Sequence, residues 1–600
     1  MFIRRTKTRG ADRGQVYFSY RLVRSERSGE RVRQRTLLNL GSDFEVAPEH
    51  WPVLCARVEQ LISPQAVLAE LGCPETVERE AQRIAMQLVS RAPAVEGGGG
   101  DVQAVDVNSL ELVRPRSVGV EHVGLWAMEQ AGLGELLEGL GFNGRQRAVA
   151  MALIIGRMAQ PGSERATWRW LCQRSGLGEL LGVDFESLSL MRLYRVSDGL
   201  MAHREAIENH LFERVTELFS LKHTVTLYDL TNTFFEGEAQ GQPKARRGHS
   251  KEKRSDCPLL TLGLVLDGSG FVRRSEVFAG NADEDKTLAS MLETLQAPHD
   301  ALVVMDAGIA TENNITWLRN HGYRYLVVSR QRARLFDPER ATAIETRSHE
   351  KVHLHRVVDE DQGEVRLYCY SEARAKKEEG ISKRFAARFE GALQKLHEGL
   401  SRPRTRKGLA HVWQRIGRIQ EQSRGAAQHY QVDVVADPQS GQATAVTWES
   451  QPRPGTLLTH PGVYCLRTNL SDWDQQTLWC TYTMLTDLEA VFRSLKSELG
   501  LRPIFHRKQH RSDGHLFITV LAYQLVQIIR RRLAGSGETA SWTTLRRILQ
   551  GQHRVTATFR RKDGRTLHVR KATRAEPHQL TIYEVLGLNP APGGIKKLTV

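Results

Sequence analysis

From residue 224 onward the chain changes from helical to strand-like grammar, and the order of elements that follows admits few folds. HTVTLYDL alternates apolar and polar positions, while LLTLGLVL and FVRRSEVF flank the turn Asp267-Gly268-Ser269-Gly270 as a hairpin. DEDKTLASMLETL reads as a helix with an acidic first turn, in which Asn281 just upstream is expected to cap. ALVVMD is a short strand of the buried type, TENNITWLRNHG a helix closed by glycine, and YRYLVVSR another strand. Three strands with a hairpin, then helix, strand, helix, strand, predicts a mixed sheet flanked by helices.

That order is the one of a ribonuclease-H-like α/β core, with its first part at 222–330. The core does not close at once. Residues 331–472 hold a charged helical stretch, a basic patch at Arg402 to Lys407 and strands such as YQVDVVAD and ATAVTWES, so an α+β, strand-rich insertion subdomain is expected there. A helix carrying a third acid resumes in 473–534, the second part of the core; 535–600 reads as a basic, weakly structured tail with a hairpin at Asp563-Gly564. Upstream, 107–221 shows apolar spacing of three and four throughout and is expected to be helical; on charge and position it is expected to bind DNA, with a structural cap as the alternative. It is preceded by a flexible linker at 97–106, with glycines at 97 to 100, and by a segment 1–96 of two or three short strands turning at Ser28-Gly29 and a helical pair, its arginines outward for contact with DNA ends.

Six hundred residues exceed one hydrophobic core, which excludes a small binding module. With 84 Lys and Arg against 69 Asp and Glu, the net charge of +15 suits a polyanionic partner. The seven cysteines form no CxxC pair or zinc-finger spacing, and no apolar run is long enough for a secretory signal or a bilayer span. A cytoplasmic, nucleoid-associated protein with no membrane partner is expected.

The candidate chemistry lies in carboxylates. Asp229 stands where VTLYD gives way to polar LTNTFFEG, and Asp306 ends ALVVM before Ala307-Gly308. An acid at a strand end is ordinarily a turn or cap residue. In the inferred sheet, however, these two ends are neighbours, and adjacent carboxylates repel unless a cation stands between them. Glu489 lies in WCTYTMLTDLEAVFRSLKSELG. On an ideal helix Tyr482 and Lys496 fall within about 20° of it, and Leu485 and Arg493 within about 40°. A glutamate on an amphipathic helix is ordinarily just solvated, and Glu498 and Asp487 fit that description. Three acids without a histidine cage suit two Mg2+ ions, with Mn2+ as a substitute, which can activate a hydroxyl for in-line displacement at a phosphodiester. Histidines such as His249 and His506 are then not ligands and are expected to face DNA or serve the fold.

These residues resemble the insertion-sequence DDE transposases of the branch marked by Tyr-x2-Arg-x3-Glu-x6-Lys. The resemblance runs through TLYDLTNTFFEG, GHSKEKRSDCPLLTLGLVLDGSG, EVFAGNADEDKTL, VVMDAG and YRYLVVSR to TDLEAVFRSLKSELGLRPIFHR and the apolar helix HLFITVLAYQLVQII. It implies a ribonuclease-H-like domain with a strand-rich insertion before the glutamate, magnesium dependence, and binding of terminal inverted repeats and target DNA by a homo-oligomer, at least a dimer. It makes Asp229, Asp306 and Glu489 the metal-binding triad and Tyr482 and Lys496 phosphate contacts. Leu485 departs from it, standing where the motif has arginine, so Arg493 substitutes or end binding is weakened. The basic pieces RRGHSKEKR and LRPIFHRKQHR add His249, Lys251, Arg254, Arg502, His506 and Arg507 as expected DNA contacts. A catalytically inactive, domesticated derivative and a nuclease without strand transfer are the alternatives.

Overall fold

The computed structural model describes residues 1–9, 16–28, 31–41, 44–62, 73–90, 101–221, 225–248, 254, 256–295, 300–330, 334–346, 349–359, 363–402, 405–423, 425–456 and 458–600. The chain forms two units: the first comprises Met1–Lys222, Leu230–Ala282 and Glu489–Val600, the second His223–Asp229 and Asp283–Leu488. Among the described residues no helix is long and apolar enough to cross a membrane. Along the chain the strands are β1 Phe2–Arg9, β2 Val16–Ser28, β3 Arg31–Gly41, β4 Val105–Ser117, β5 Val225–Phe234, β6 Leu259–Asp267, β7 Val272–Ala279, β8 Leu302–Met305, β9 Arg324–Val328, β10 Thr342–Glu345, β11 Lys351–Asp359, β12 Glu364–Ser371, β13 Tyr430–Ala436, β14 Ala443–Ser450, β15 Val463–Thr468, β16 His553–Arg561, β17 Thr566–Ala572 and β18 Lys596–Thr599.

In the first unit, β1, β2 and β3 form an antiparallel sheet. Ser28 pairs with Arg31 across its second turn, while Gly29 lies outside the described residues. Ile3, Leu22, Leu38 and Leu40 pack on Leu54 and Val58 of the helix Trp51–Ile62 and on Val77 and Ile84 of the helix Glu75–Ser90. Strand period two thus meets helix period three to four. Exposed Arg4 stands opposite Arg21, and exposed Arg24 opposite Arg35, which is paired with Glu26 at 3.4 Å. Like charges directly opposite one another weaken a sheet unless an anion screens them.

The helical region begins later than expected. Residues 105–117 are strand β4, in a sheet ordered β18-β17-β16-β4, because VDVNSLELV alternates and the helical spacing starts only at Gly119. The glycine run at 97–100 lies outside the described residues. Nor is 535–600 weakly structured. Besides β16 to β18 it contains the helices Trp542–Gln550 and Pro577–Leu586, and Asp563-Gly564 turns the β16–β17 hairpin with Gly564 at φ +80°. Its basic composition misleads because Arg554 and Arg570 are buried on Glu179, at 3.2 and 2.6 Å, instead of solvated. The helices Gly119–Gln130, Gly144–Ala159 and Leu190–Ala202 pack around Gln509–Ala534, whose run from Ser512 to Val526 is buried on every side, as a core helix requires. Gln524 of that helix holds the β6–β7 hairpin, donating to the Val272 carbonyl at 2.6 Å and accepting from its N–H at 3.2 Å.

The second unit is built on a large mixed sheet in the order β10-β11-β12-β15-β9-β8-β5. β5, β8 and β9 run parallel, and antiparallel pairing continues from β9 through β15, β12 and β11 to β10. The mixed α/β architecture read from the element order is therefore present. The helices Leu288–Leu295 and Glu312–Asn320 lie between these strands in sequence, the second making the crossover from β8 to β9 that parallel strands need. Of the 331–472 stretch, β10, β11, β12 and β15 extend the sheet, so it is not wholly a subdomain of its own. A separate core does form within it, where Phe389, Leu393 and Leu396 of the 29-residue helix Glu372–Leu400 meet Val412 and Ile416 of Leu409–Gln422 and Val432 and Val446 of the β13–β14 hairpin. The N-cap position of the helical turn Glu284–Lys286 is Asp283, not Asn281.

Candidate active site

β5 and β8 run parallel with Tyr228 opposite Met305. The next residues, Asp229 and Asp306, therefore stand side by side, with backbones about 4.8 Å apart; Asp306 follows the end of β8, whereas Asp229 lies inside β5, which runs on to Phe234 instead of ending where VTLYD gives way to polar residues. The residues just before them, Thr226 to Tyr228 and Leu302 to Met305, are buried, which fixes both strands in register. Asp229 is half-buried and Asp306 exposed. Tyr228 donates to Thr287 Oγ1 at 2.7 Å, and Thr287 donates to the Glu284 carbonyl at 2.7 Å, so β5 is anchored beside Asp229 to the helical turn that precedes Leu288–Leu295.

The turn after Asp306 is braced from three directions. Asp306 Oδ1 accepts from Ala307 N at 2.7 Å, and its carbonyl accepts from Ile309 and Ala310 at 3.1 and 3.2 Å. Asn314 donates to the carbonyls of Ile309 and Asp285 at 2.7 and 2.8 Å. Arg330, two residues past β9, donates to the carbonyls of Ala307, at 2.5 Å, and Gly308. A Cβ at Gly308 would stand 2.9 Å from Glu284 Oε2, so glycine there leaves room for a further carboxylate at the turn. Sequence reasoning missed Arg330 and Glu284. Arg330 had a signal, since it ends YRYLVVSR as Asp306 ends ALVVMD; Glu284 was read only as helix charge. Two carboxylates side by side on adjacent parallel strands repel one another, and an all-oxygen donor set fits a hard divalent cation.

Glu489 stands at the start of the first unit's last segment and is exposed, on the helix Gln475–Arg493. Tyr482, in the second unit, is half-buried, its ring 5.9 Å from that of Tyr464; Leu485 is also half-buried and Arg493 exposed. Past Arg493 the helix widens into a π turn, Ser494–Glu498, so Lys496 does not keep the angular place that an ideal α-helix assigns it. Glu498 is not simply solvated: it accepts from Ser494 Oγ at 2.5 Å and from Thr543 N at 3.2 Å. The side chain of Asp487 lies outside the described residues.

The expected DNA contacts fare unequally. His249 and Lys251 lie outside the described residues. Arg254 is held by Asp256 through two hydrogen bonds of 2.7 Å, which bring the exposed Asp256 carboxyl down to about 2. Arg502 lies 5.9 Å from the Phe234 ring, and Arg507 is exposed. His506 does not face outward. It is buried, with Nε2 2.5 Å from Glu164 Oε2, because the core on either side of HRKQHR draws it in.

Glu164, His506 and His515 bring three ligand atoms within 4.8 Å of one another, a spacing a metal ion can use. The cation there is already supplied. Arg157 is 2% exposed, lies 3.7 Å from Glu164, and has its two terminal nitrogens 3.1 Å from the two ring nitrogens of His515. A metal ion would face that guanidinium in a low-dielectric interior, so this donor set does not fit one.

Residues 221–525, just over half of the chain, match the family model of the transposase DDE domain. No curated protein sequence matches the chain. Among solved structures it is similar to a piggyBac transposase in its synaptic complex with hairpin DNA, determined by cryo-EM, at 10% identity over 72% of this chain and 76% of that one, with a TM-score of 0.29.

Proposed function

Since the chain belongs to the transposase DDE domain family, we propose that it is a DNA transposase that binds the inverted repeats at the ends of an insertion sequence and cleaves and joins strands with Asp229, Asp306 and Glu489. The observation that carries this reading is the placing of Asp229 and Asp306 side by side after the paired residues Tyr228 and Met305. In this reading the mixed sheet is a ribonuclease-H-like core, and Glu489 supplies the third carboxylate from its helix.

The two aspartates, with Glu489, would hold Mg2+ or Mn2+ through carboxylate oxygens. Such ions, when bound, activate the attacking hydroxyl and stabilise the departing oxygen of an in-line displacement. The protein's own part is positional. Arg330 and Asn314 fix the turn that follows Asp306, so its carboxylate is held beside Asp229 without reorganisation. Tyr482, Lys496 and Arg493 hold the DNA phosphates, and with Leu485 in the motif's arginine position Arg493 supplies the guanidinium. Arg502 and Arg507 add phosphate contacts, as do His249 and Lys251. The arginine pairs of the N-terminal sheet meet the ends of the element, and the working form is at least a dimer.

The test is metal-dependent nicking of an inverted-repeat duplex, followed by joining of a precleaved end to target plasmid. Asp229→Asn, Asp306→Asn and Glu489→Gln are each expected to lower the nicking rate by at least about 10³-fold, the loss of several kcal/mol of transition-state stabilisation. Nicking at the wild-type rate by any one of them removes that residue from the triad. Nicking without joined product assigns the chain to the nucleases.

A further inference from the structure

In the first unit the stretch from Arg502 to Lys508 is tied down so that one aromatic ring is presented outward. Ile504 N donates to the Phe234 carbonyl at 2.8 Å and Glu236 N to the Ile504 carbonyl at 2.9 Å, which docks the stretch on the end of β5. Ile504 is fully buried, and His506 is buried against Glu164. Extended backbone turns successive side chains to opposite sides. Phe505, between two inward neighbours, is thereby held outward and is 53% exposed. Its own stretch is cationic, with Arg507 and Lys508 exposed just after it.

A single exposed apolar side chain on a surface is ordinary. Phe505 differs because its backbone is fixed on both sides and positive charge lines its own stretch. A rigid ring loses little entropy on binding, and every nucleobase offers a face to it regardless of sequence. We propose that Phe505 is a stacking platform for an unpaired nucleobase, with Arg507 and Lys508 engaging the adjoining phosphates. The proposal rests on the DNA transposase reading above, and it assigns to this surface a sequence-indifferent contact with opened DNA.

The experiment is fluorescence anisotropy of the full chain with two labelled duplexes of one sequence, one blunt and one with three unpaired nucleotides at an end. Phe505→Ala is expected to weaken binding of the frayed duplex about tenfold and of the blunt duplex less than twofold, with the salt dependence of both unchanged. Phe505→Trp retains the frayed-end preference, whereas Phe505→Leu, similar in bulk but without a π face, loses it. Arg507→Ala weakens both duplexes alike and lowers the salt slope by about one. Equal affinities of wild type and Phe505→Ala for the frayed duplex overturn the platform, and so does a Phe505→Ala chain that loses only self-association, which makes the ring a contact between copies. A wild-type chain that binds neither duplex overturns the transposase reading itself.

Discussion

Glu164 and Asp306 are both carboxylates beside turns, and they stand in opposite surroundings. Glu164 is 1% exposed, with His506 Nε2 at 2.5 Å, Arg157 at 3.7 Å and His515 at 3.8 Å. Burial pushes its carboxyl up, but hydrogen bonds and charge from His506 and His515 outweigh burial and hold it well below the usual carboxylate range. Asp306 is exposed, accepts from the amide of Ala307, and has Asp229 as its neighbour in the next strand. At Glu164 the protein closes the charge account with its own cations, and the product is a joint in the first unit among the helices Gly144–Ala159, Glu164–Gln173 and Gln509–Ala534. At Asp306 the neighbouring Arg330 guanidinium is bound to the backbone carbonyls of the turn, and Asp229 and Asp306 stand side by side on adjacent strands, an arrangement that suits a site for an external cation.

The sharpest way to break this contrast is to remove one side of each cluster. Arg157→Met leaves Glu164 buried without its guanidinium and is expected to cost about 3–5 kcal/mol in urea unfolding. Asp306→Asn relieves repulsion at an exposed position and is expected to stay within about 0.5 kcal/mol of wild type. Equal losses in the two variants would mean that Asp306 is as structural as Glu164.

Acid separates the clusters next. Burial, then the charge of Arg157, lowers His515 from 6.5 to about 4. Its neutral form is thus favoured by folding, and below 6.5 the unfolded chain takes a proton that the folded chain refuses. The stability is fully present above pH 6.5 and declines as pH falls towards 4, by about 3 kcal/mol. Glu164, held low in the folded state, works in the same direction, its contribution being lost below its ordinary range. Urea midpoints at pH 7 and pH 4.5 measure the decline, and His515→Gln is expected to flatten it. An unchanged slope in that variant places the titration elsewhere.

These contrasts also mark what could be read from the residues alone. The runs VTLY and LVVM declare strands locally, so the neighbouring places of Asp229 and Asp306 were legible, as was the mixed sheet; that β5 continues through the polar LTNTF was not. The burial of His506 was not, because HRKQHR is polar and only the core around Ile504 and Glu164 turns one of its histidines inward. Arg554 and Arg570 likewise look like a solvated tail until Glu179, far away in the chain, is found between them. The π turn at Ser494–Glu498 breaks the ideal helical angle by which Lys496 was aligned with Glu489. Local alternation survives folding intact; partners distant in sequence are set by packing, which leaves no local trace.

The mildest test asks where a cation settles without asking for catalysis. If Asp229 and Asp306 take Mg2+ or Mn2+, a concentration several times Kd stabilises the folded chain by about 1 kcal/mol, since only the folded chain assembles the site. That corresponds to a rise in melting temperature of about 2 °C for a unit of this size. The rise is expected to vanish in Asp306→Asn, which removes a ligand, and to persist in His515→Gln, which alters only the buried cluster. Both variants keep a folded chain against which the shift can be read, the first because Asp306 is exposed and the second because glutamine retains hydrogen-bonding capacity towards Arg157. The reverse pattern, with metal stabilising Asp306→Asn but not His515→Gln, would make the buried histidines the cation site and Arg157 a displaceable counter-charge. The two carboxylate groups would then have exchanged roles, and Asp229 and Asp306 would be structural.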